Sequence, residues 1–290
     1  MTEHASTGFP GASARRPGRR WLQFTCLALA GYLGVLVTLV QLEDRLLYRP
    51  HRRPGNWSLP PAELPIEELW LPTAHGTPIH AWWCPCTSSA GAVLFCHGNA
   101  GNLSQRAHDV LAMQRALRKS VLIFDYPGFG RSPGRPSEAG CCTAADAAYD
   151  WLTQRVTPER VIILGQSLGG GVAVDLASRR RHQALAVFKT FTSIPDLAQK
   201  LFPFVPARYL VHNRFDSLHK IANCSGAVFI AHGDCDHLIP VSQARRLFQA
   251  APEPKRLCLL QGCGHRGGLS PVFLTRLAEF LEDRSADVPR

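Results

Sequence analysis

From residue 66 onward the hydrophobic positions alternate between strand-like and helix-like patterns. Short runs rich in β-branched and aromatic residues predict eight strands, at EELWLP (67–72), IHAWWC (79–84), AVLFC (92–96), SVLIFDY (120–126), RVIILG (160–165), ALAVFKTF (184–191), GAVFIAH (226–232) and RLCLLQG (256–262). Amphipathic stretches predict helices over 103–118, 138–155, 168–180, 241–250 and 269–283. The first two strands follow each other without a helix and most of the others alternate with helices, which is typical of a mostly parallel sheet covered on both faces, with an antiparallel start.

The N-terminal region differs, because WLQFTCLALAGYLGVLVTLVQL (21–42) contains no charged residue. A helix of this length can span a bilayer, and a basic tail (1–20) precedes it. A cleavable signal peptide is the competing interpretation, since Ala28-Leu29-Ala30 resembles a cleavage site and Arg19-Arg20 a partial twin-arginine signal. A third interpretation is a buried helix of a soluble protein. Apolar residues continue well past Ala30, so we predict an uncleaved, single-pass membrane anchor.

The net charge of +10 is unevenly distributed. Half of it falls in residues 1–53, where arginines on both sides of the apolar segment can meet lipid headgroups. Four arginines lie on each side, so the positive-inside rule assigns no orientation. The rest of the chain is mildly basic and lacks a basic run interleaved with aromatic residues, which excludes nucleic-acid binding as the primary function.

Four regions follow from these patterns: the tail (1–20), the anchor (21–42), a proline-rich tether (43–65) and one α/β domain (66–290). Within the domain, residues 192–222 form the longest connection. Its LFPFVP stretch (201–206) is too apolar for an ordinary surface loop, so we predict a short cap over the sheet edge, where sites lie in such folds.

A serine between glycines is the strongest chemical signal. GQSLG (165–169) follows a predicted strand and precedes a predicted helix, the setting of a nucleophile elbow that exposes Ser167 above the sheet edge. A helix N-terminus that merely packs tightly is the structural alternative.

A serine nucleophile needs a base and an acid that orients the base. The sequence offers both after later strands: HGDCDHLIP (232–240) contains Asp234 and Asp236, and GCGH (262–265) ends in His265. We prefer Asp236 as the acid, because Asp234 directly follows a glycine and fits a turn. His232, Cys235 and His237 could instead hold a metal, but the triad explains the segment better, and we predict no metal or cofactor.

The oxyanion formed in acyl transfer needs preorganised donors. We expect one from the backbone N–H of Leu168, directly after the nucleophile. The second is expected from HGNAGN (97–102), whose glycine turn exposes the amide of Asn99.

Ordered motifs across the domain resemble the membrane-anchored α/β-hydrolase-domain serine hydrolases, a branch that includes bacterial proteins of unassigned substrate and eukaryotic protein depalmitoylases. The motifs are HGNAGN, DYPGFGRSPGRPSEAG, GQSLGG, FTSIPDLA, RFDSLHKI, HGDCDHLIP and GCGH. The resemblance implies the α/β-hydrolase fold, with Ser167 as nucleophile, Asp236 as acid, His265 as base, and the backbone of Asn99 and Leu168 as oxyanion donors. Two departures are the missing acidic residue before FTS and the Arg-Gly pair after GCGH, where the family usually has Asn-Asp.

The predicted function is a serine hydrolase that cleaves an ester or thioester of a lipid or an acylated substrate. Leu201, Phe202 and Phe204 of the predicted cap are candidate acyl-chain contacts, with cap packing as the alternative. A peptidase with the same triad and a non-catalytic, membrane-tethered binding module are the competing functions.

Overall fold

The computed structural model describes residues 18–51, 56–87, 89 and 91–286. The chain divides into two compact units between Leu42 and Glu43. The predicted basic tail lies almost wholly outside the described residues, as do Arg52 and Arg53 of the tether.

The described part of the first unit belongs to an apolar helix. Helix α1 runs over Gly18–Leu47, and its stretch Trp21–Leu47 is 27 residues long and apolar enough to cross a membrane. Thr25 and Thr38 donate their hydroxyls to carbonyls one turn earlier. An anchor and an N-terminal signal sequence both fit these features.

The second unit contains an eight-stranded sheet in the order β10-β9-β8-β7-β4-β6-β3-β2. Only β3 runs against the others, so the predicted antiparallel start is confirmed. These strands are β2 (Glu67–Leu71), β3 (Ile79–Cys84), β4 (Ala92–Cys96), β6 (Ser120–Phe124), β7 (Val161–Gln166), β8 (Ala184–Phe188), β9 (Ala227–Gly233) and β10 (Lys255–Leu260). Two short strands, β1 (Arg49–Pro50) and β5 (Ala100–Gly101), pair separately.

Helices cover both faces of this sheet. Their ranges are α2 (Ala107–Leu117), α3 (Glu138–Thr153), α4 (Leu168–Ala177), α5 (Ile194–Leu201), α6 (Ala207–Leu210), α7 (Ser217–Lys220), α8 (Val241–Ala250) and α9 (Pro271–Ala286). Side chains of α3, α4 and α8 fill one apolar cluster, and those of α2 and α9 fill the other. Alternate residues of β7 point to different clusters, because successive side chains in a strand face opposite sides.

Two predicted elements differ from the observed ones for local backbone reasons. The strand predicted over 184–191 ends at Phe188, because Lys189 adopts a left-handed conformation (φ 53°) that leaves the sheet. The helix predicted over 103–118 begins as a short 3₁₀ turn over Leu103–Arg106, which Asn102 caps by accepting the Ser104 N–H, and α2 follows it.

The predicted cap (192–222) and the predicted tether (43–65) contain structure that their composition does not indicate. The segment predicted as a cap contains three short helices and a 3₁₀ turn at Ile221–Asn223. In the predicted tether, the side chains of Tyr48 and Leu64 are buried, so the chain packs on the domain at these two positions.

Candidate active site

A strained backbone turn presents Ser167 between β7 and α4. Its φ of 53° and ψ of −118° are uncommon for a residue with a side chain, and they point the hydroxyl away from the strand. The flanking glycines make the turn possible. A Cβ atom at Gly165 would lie 2.6 Å from that of Ala173, and one at Gly169 would collide with the carbonyl oxygens of Cys96 and His97.

Hydrogen bonds from the neighbouring strand fix this turn. The N–H of Ser167 donates to the carbonyl of Phe188 at 2.9 Å, and the Thr190 hydroxyl donates to the Ser167 carbonyl at the same distance. The serine is therefore held on both sides of its α-carbon, so its Oγ keeps one direction relative to the sheet. This is the geometry that the sequence predicts for a nucleophile elbow.

The structure brings the three predicted triad side chains together. Ser167 Oγ lies 3.1 Å from Nε2 of His265, and Nδ1 of the same ring lies 2.8 Å from Oδ2 of Asp236. Asp236 follows β9 and His265 follows β10, so both lie at the carboxyl edge of the sheet, as Ser167 does. The imidazole can accept a proton from the serine while the carboxylate fixes its orientation.

Asp236 is buried and fully hydrogen-bonded. Its Oδ1 accepts the N–H groups of Leu238 (3.0 Å) and Ile239 (2.8 Å). His232 Nε2, which donates to the Ile239 carbonyl at 2.7 Å, also lies 3.4 Å from Oδ2 of Asp236. Burial alone would raise the pKa of this carboxyl, but hydrogen bonds from His232, His265 and the Ile239 amide hold the pKa well below its usual range. Asp236 is therefore ionised at neutral pH.

The nearby Asp234 has a different contact. Its Oδ1 accepts the Gly262 N–H at 2.8 Å and so ties the turn after β9 to the turn after β10. Asp236, the acid preferred from the sequence, thus lies beside His265, whereas Asp234 lies in a turn. His232 is committed to Asp236 and Ile239, and within the described ranges no group of three His, Cys, Asp or Glu side chains is arranged to hold a metal ion.

The two predicted oxyanion donors flank the serine. Leu168 is the first residue of α4, so its N–H has no acceptor one turn earlier in the helix. Residues 97–102, which we call the HGN loop, approach from β4. A Cβ atom at Gly98 would lie 3.7 Å from Cβ of Ser167, so this loop lies directly against the nucleophile, and Asn99 is its next residue.

Two polar side chains that the sequence analysis did not single out hold the loop of the base. Gln166 Nε2 donates to the Gly267 carbonyl at 3.1 Å. Lys189, only 2% exposed, donates to the carbonyls of His265 (3.5 Å) and Arg266 (3.2 Å). Lysine is rarely buried, so Lys189 at the end of an apolar, strand-like run is a feature by which the sequence could have indicated a role for this residue.

The candidate acyl-chain residues belong to the segment 192–222. Leu201 and Phe202 are about half exposed and Phe204 is 89% exposed, so these side chains do not line an enclosed pocket. Their role in binding a substrate stays a prediction.

Comparisons with known proteins agree with this fold. The sequence profile described as alpha/beta hydrolase fold matches residues 91–209. The uncharacterized protein Rv2307c of Mycobacterium tuberculosis is 38% identical over 238 residues, 80% of this chain and 83% of that protein. The alpha/beta hydrolase domain-containing protein WAV2 of Arabidopsis thaliana is 29% identical over 256 residues, 79% and 83% of the two chains.

Solved structures share the fold at low sequence identity. The esterase Pf2001 of Pyrococcus furiosus superposes with a TM-score of 0.65 at 18% identity, over 82% of this chain and 97% of the esterase. At this level of identity the likeness concerns the arrangement of strands and helices.

Proposed function

This chain belongs to the family of proteins with the α/β-hydrolase fold, and from that premise we propose that it is a serine hydrolase working through an acyl-enzyme. One observation carries the proposal: a hydrogen-bonded chain runs from Ser167 Oγ through His265 to the ionised Asp236. The three residues follow in the order nucleophile, acid, base, which is the chain order of the triad on this fold.

In the first half of the reaction, Ser167 Oγ attacks the acyl carbon while Nε2 of His265 takes the hydroxyl proton. The resulting oxyanion accepts hydrogen bonds from the backbone N–H groups of Leu168 and Asn99. His265 then gives its proton to the leaving alcohol or thiol, the bond to the leaving group breaks, and the acyl-serine ester remains. Asp236 stabilises the imidazolium formed between these steps.

In the second half, a water molecule takes the place of the leaving group. His265 removes one proton from the water as its oxygen attacks the acyl-serine carbon. The same two N–H groups stabilise the second oxyanion. Its collapse releases the carboxylic acid and returns the proton to Ser167, so the site is restored and the net reaction is hydrolysis.

We propose an ester or thioester of a lipid or an acylated molecule as the substrate. The apolar helix supports this choice, because an uncleaved helix would hold the domain at a bilayer as a single-pass protein. The exposed apolar side chains at Leu201, Phe202 and Phe204 also support it, since they can contact an acyl chain without a preformed cavity.

A fluorophosphonate probe tests the nucleophile. Ser167→Ala should lose labelling completely and lower hydrolysis by about 10⁶-fold, because no other group can form the covalent bond. Ser178→Ala is the matched control, because this serine lies at the other end of α4 and its hydroxyl donates to the Asp175 carbonyl. Undiminished labelling of Ser167→Ala would overturn the proposal.

A substrate panel tests the reaction class. We expect the full-length protein to cleave p-nitrophenyl esters and acyl thioesters in a Ser167-dependent way, and peptide amides far more slowly. Faster Ser167-dependent cleavage of peptide amides would assign the same triad to a peptidase instead.

A further inference from the structure

A short segment that follows the apolar stretch, Leu47–His51, runs along the HGN loop. We call this segment the strap. Its strand β1 pairs in parallel with β5, which lies inside the HGN loop. The N–H of His51 also donates to the Gly101 carbonyl at 3.0 Å. The loop beside the nucleophile is thus hydrogen-bonded to residues about fifty positions earlier in the chain.

The contacts converge on Asn99. Its side-chain Nδ2 donates to the Leu47 carbonyl at 2.7 Å, and its own carbonyl accepts the Arg49 N–H at 2.8 Å. Both the side chain and the carbonyl of this residue are therefore held by the strap, which leaves its backbone N–H as the group free to face Ser167. No hydrogen bond of that N–H is found among the described residues.

The strap and the residues just before it also form hydrogen bonds with the segment 192–222. The Tyr48 side chain is 2% exposed, and its hydroxyl donates to Oδ1 of Asn213 at 2.8 Å. The Glu43 carboxylate, four residues before Leu47, accepts the backbone N–H groups of His212 (3.0 Å) and Asn213 (2.7 Å). These bonds fasten the strap to the segment 192–222, so it can act as a rigid support.

The HGN loop needs such a support. Glycine at 98 and at 101, the latter with a φ of 83°, gives its backbone wide conformational freedom. An oxyanion donor is effective only when it already points at the position where charge develops. A loop with this composition would otherwise sample several orientations, and the strap restricts them.

We infer that the strap is a positioning element of the oxyanion hole, which aims the Asn99 N–H at the reacting carbonyl. The inference rests on the proposed function, since it assigns a role within the same site. It also assigns a positioning role to backbone groups at the end of the apolar stretch, ahead of the α/β sheet in sequence.

Replacing Arg49 by proline tests the inference at its central bond. Arg49→Pro removes the backbone N–H that donates to Asn99, while Arg49→Ala keeps that N–H and removes only the exposed side chain. In the full-length protein we expect Arg49→Pro to lower kcat for a soluble p-nitrophenyl ester by about 10- to 100-fold with KM changed less than about threefold, and Arg49→Ala to stay within about twofold.

Hydrogen exchange gives a readout independent of activity. Peptides that cover residues 97–102 should exchange faster in Arg49→Pro than in Arg49→Ala, with no change around His265. If Arg49→Pro fails to fold, Asn99→Ala replaces it, since it removes only the bond to Leu47. Arg276→Ala is its control, because this exposed side chain bonds to Glu279 within α9.

The outcomes separate the two proposals. Unchanged kcat in Arg49→Pro or Asn99→Ala, in a protein whose wild type shows Ser167-dependent hydrolysis, would overturn the role of the strap. A loss of the same size in Arg49→Ala would also overturn it. Absence of Ser167-dependent hydrolysis in the wild type would overturn the proposed function instead, whatever the exchange data show for the loop.

Discussion

The side chains at the carboxyl edge of the sheet and those of the segment 201–209 differ in hydrogen bonding and in exposure to solvent. At the sheet edge Ser167, Asp236 and His265 are joined by hydrogen bonds, and the carboxylate is buried. In the segment 201–209 the largest apolar side chains face solvent, with Phe204 and Tyr209 both 89% exposed.

From this difference we expect the sheet edge to carry out the reaction and the segment 201–209 to contact the substrate. A set of polar groups hydrogen-bonded to a buried carboxylate keeps one geometry and so favours one reaction. Exposed apolar side chains, as in this segment, offer surface that an acyl chain or a lipid could cover. Substitutions at the edge should therefore change kcat greatly, whereas those in the segment should change substrate preference modestly.

The largest effect should come from the buried carboxylate. Asp236→Asn should lower kcat by about 10⁴-fold, because the amide cannot stabilise the imidazolium and favours the wrong ring tautomer. Asp234→Asn is the matched control, since asparagine can still accept the Gly262 N–H. Steady-state kinetics on one soluble ester measure both. Equal losses in the two variants would contradict the assignment of Asp236.

A smaller effect is expected at Lys189, which positions the loop of the base. Lys189→Met should lower kcat roughly 10-fold, because the carbonyls of His265 and Arg266 lose their donor and the imidazole shifts from its alignment with Ser167. KM should stay the same, and Lys189→Arg should restore part of the loss. A variant with wild-type kcat would show that the loop keeps its geometry without this ammonium.

In the exposed segment, Phe204→Ser should lower kcat/KM for long-chain esters by about fivefold and leave short-chain esters unchanged, since only a long acyl chain would cover this ring. Leu59→Ser is the control, because Leu59 is equally exposed, at 89%, and lies outside the segment. Chain-length profiles of the two variants provide the measurement. Identical profiles would remove the segment from substrate contact.

The smallest effect concerns acid stability. Because the pKa of Asp236 is lower in the folded protein than the value of about 3.9 for an unfolded aspartate, its ionised form stabilises the fold above that pH. This contribution disappears as the pH falls through the lowered value. Between pH 6 and pH 2.5 the wild-type Tm should fall about 3 °C further than that of Asp236→Asn. Parallel Tm curves would contradict the coupling.

Local patterns were sufficient for the fold class and for the sharp strand-to-helix turn at Ser167. The alternation of strands and helices predicts the sheet, because burial on one or both faces imposes its period on the sequence. Ser167 could be identified because the constraints on its turn lie in the glycines two positions away. Asp236 and His265 were found by chain order and by their places after predicted strands, although their contacts depend on the pairing of distant strands.

The tertiary structure alone decided how these groups are held. The bond from Asn99 to Leu47 joins residues 52 positions apart, and that from Lys189 to His265 joins residues 76 apart. Such bonds leave no period in the sequence, and the proline-rich composition of residues 43–65 predicts an extended tether without indicating that Tyr48 is buried. The sequence therefore determined which chemical groups stand at the sheet edge, whereas long-range packing decided what aligns them, because alignment depends on contacts between segments that no local pattern connects.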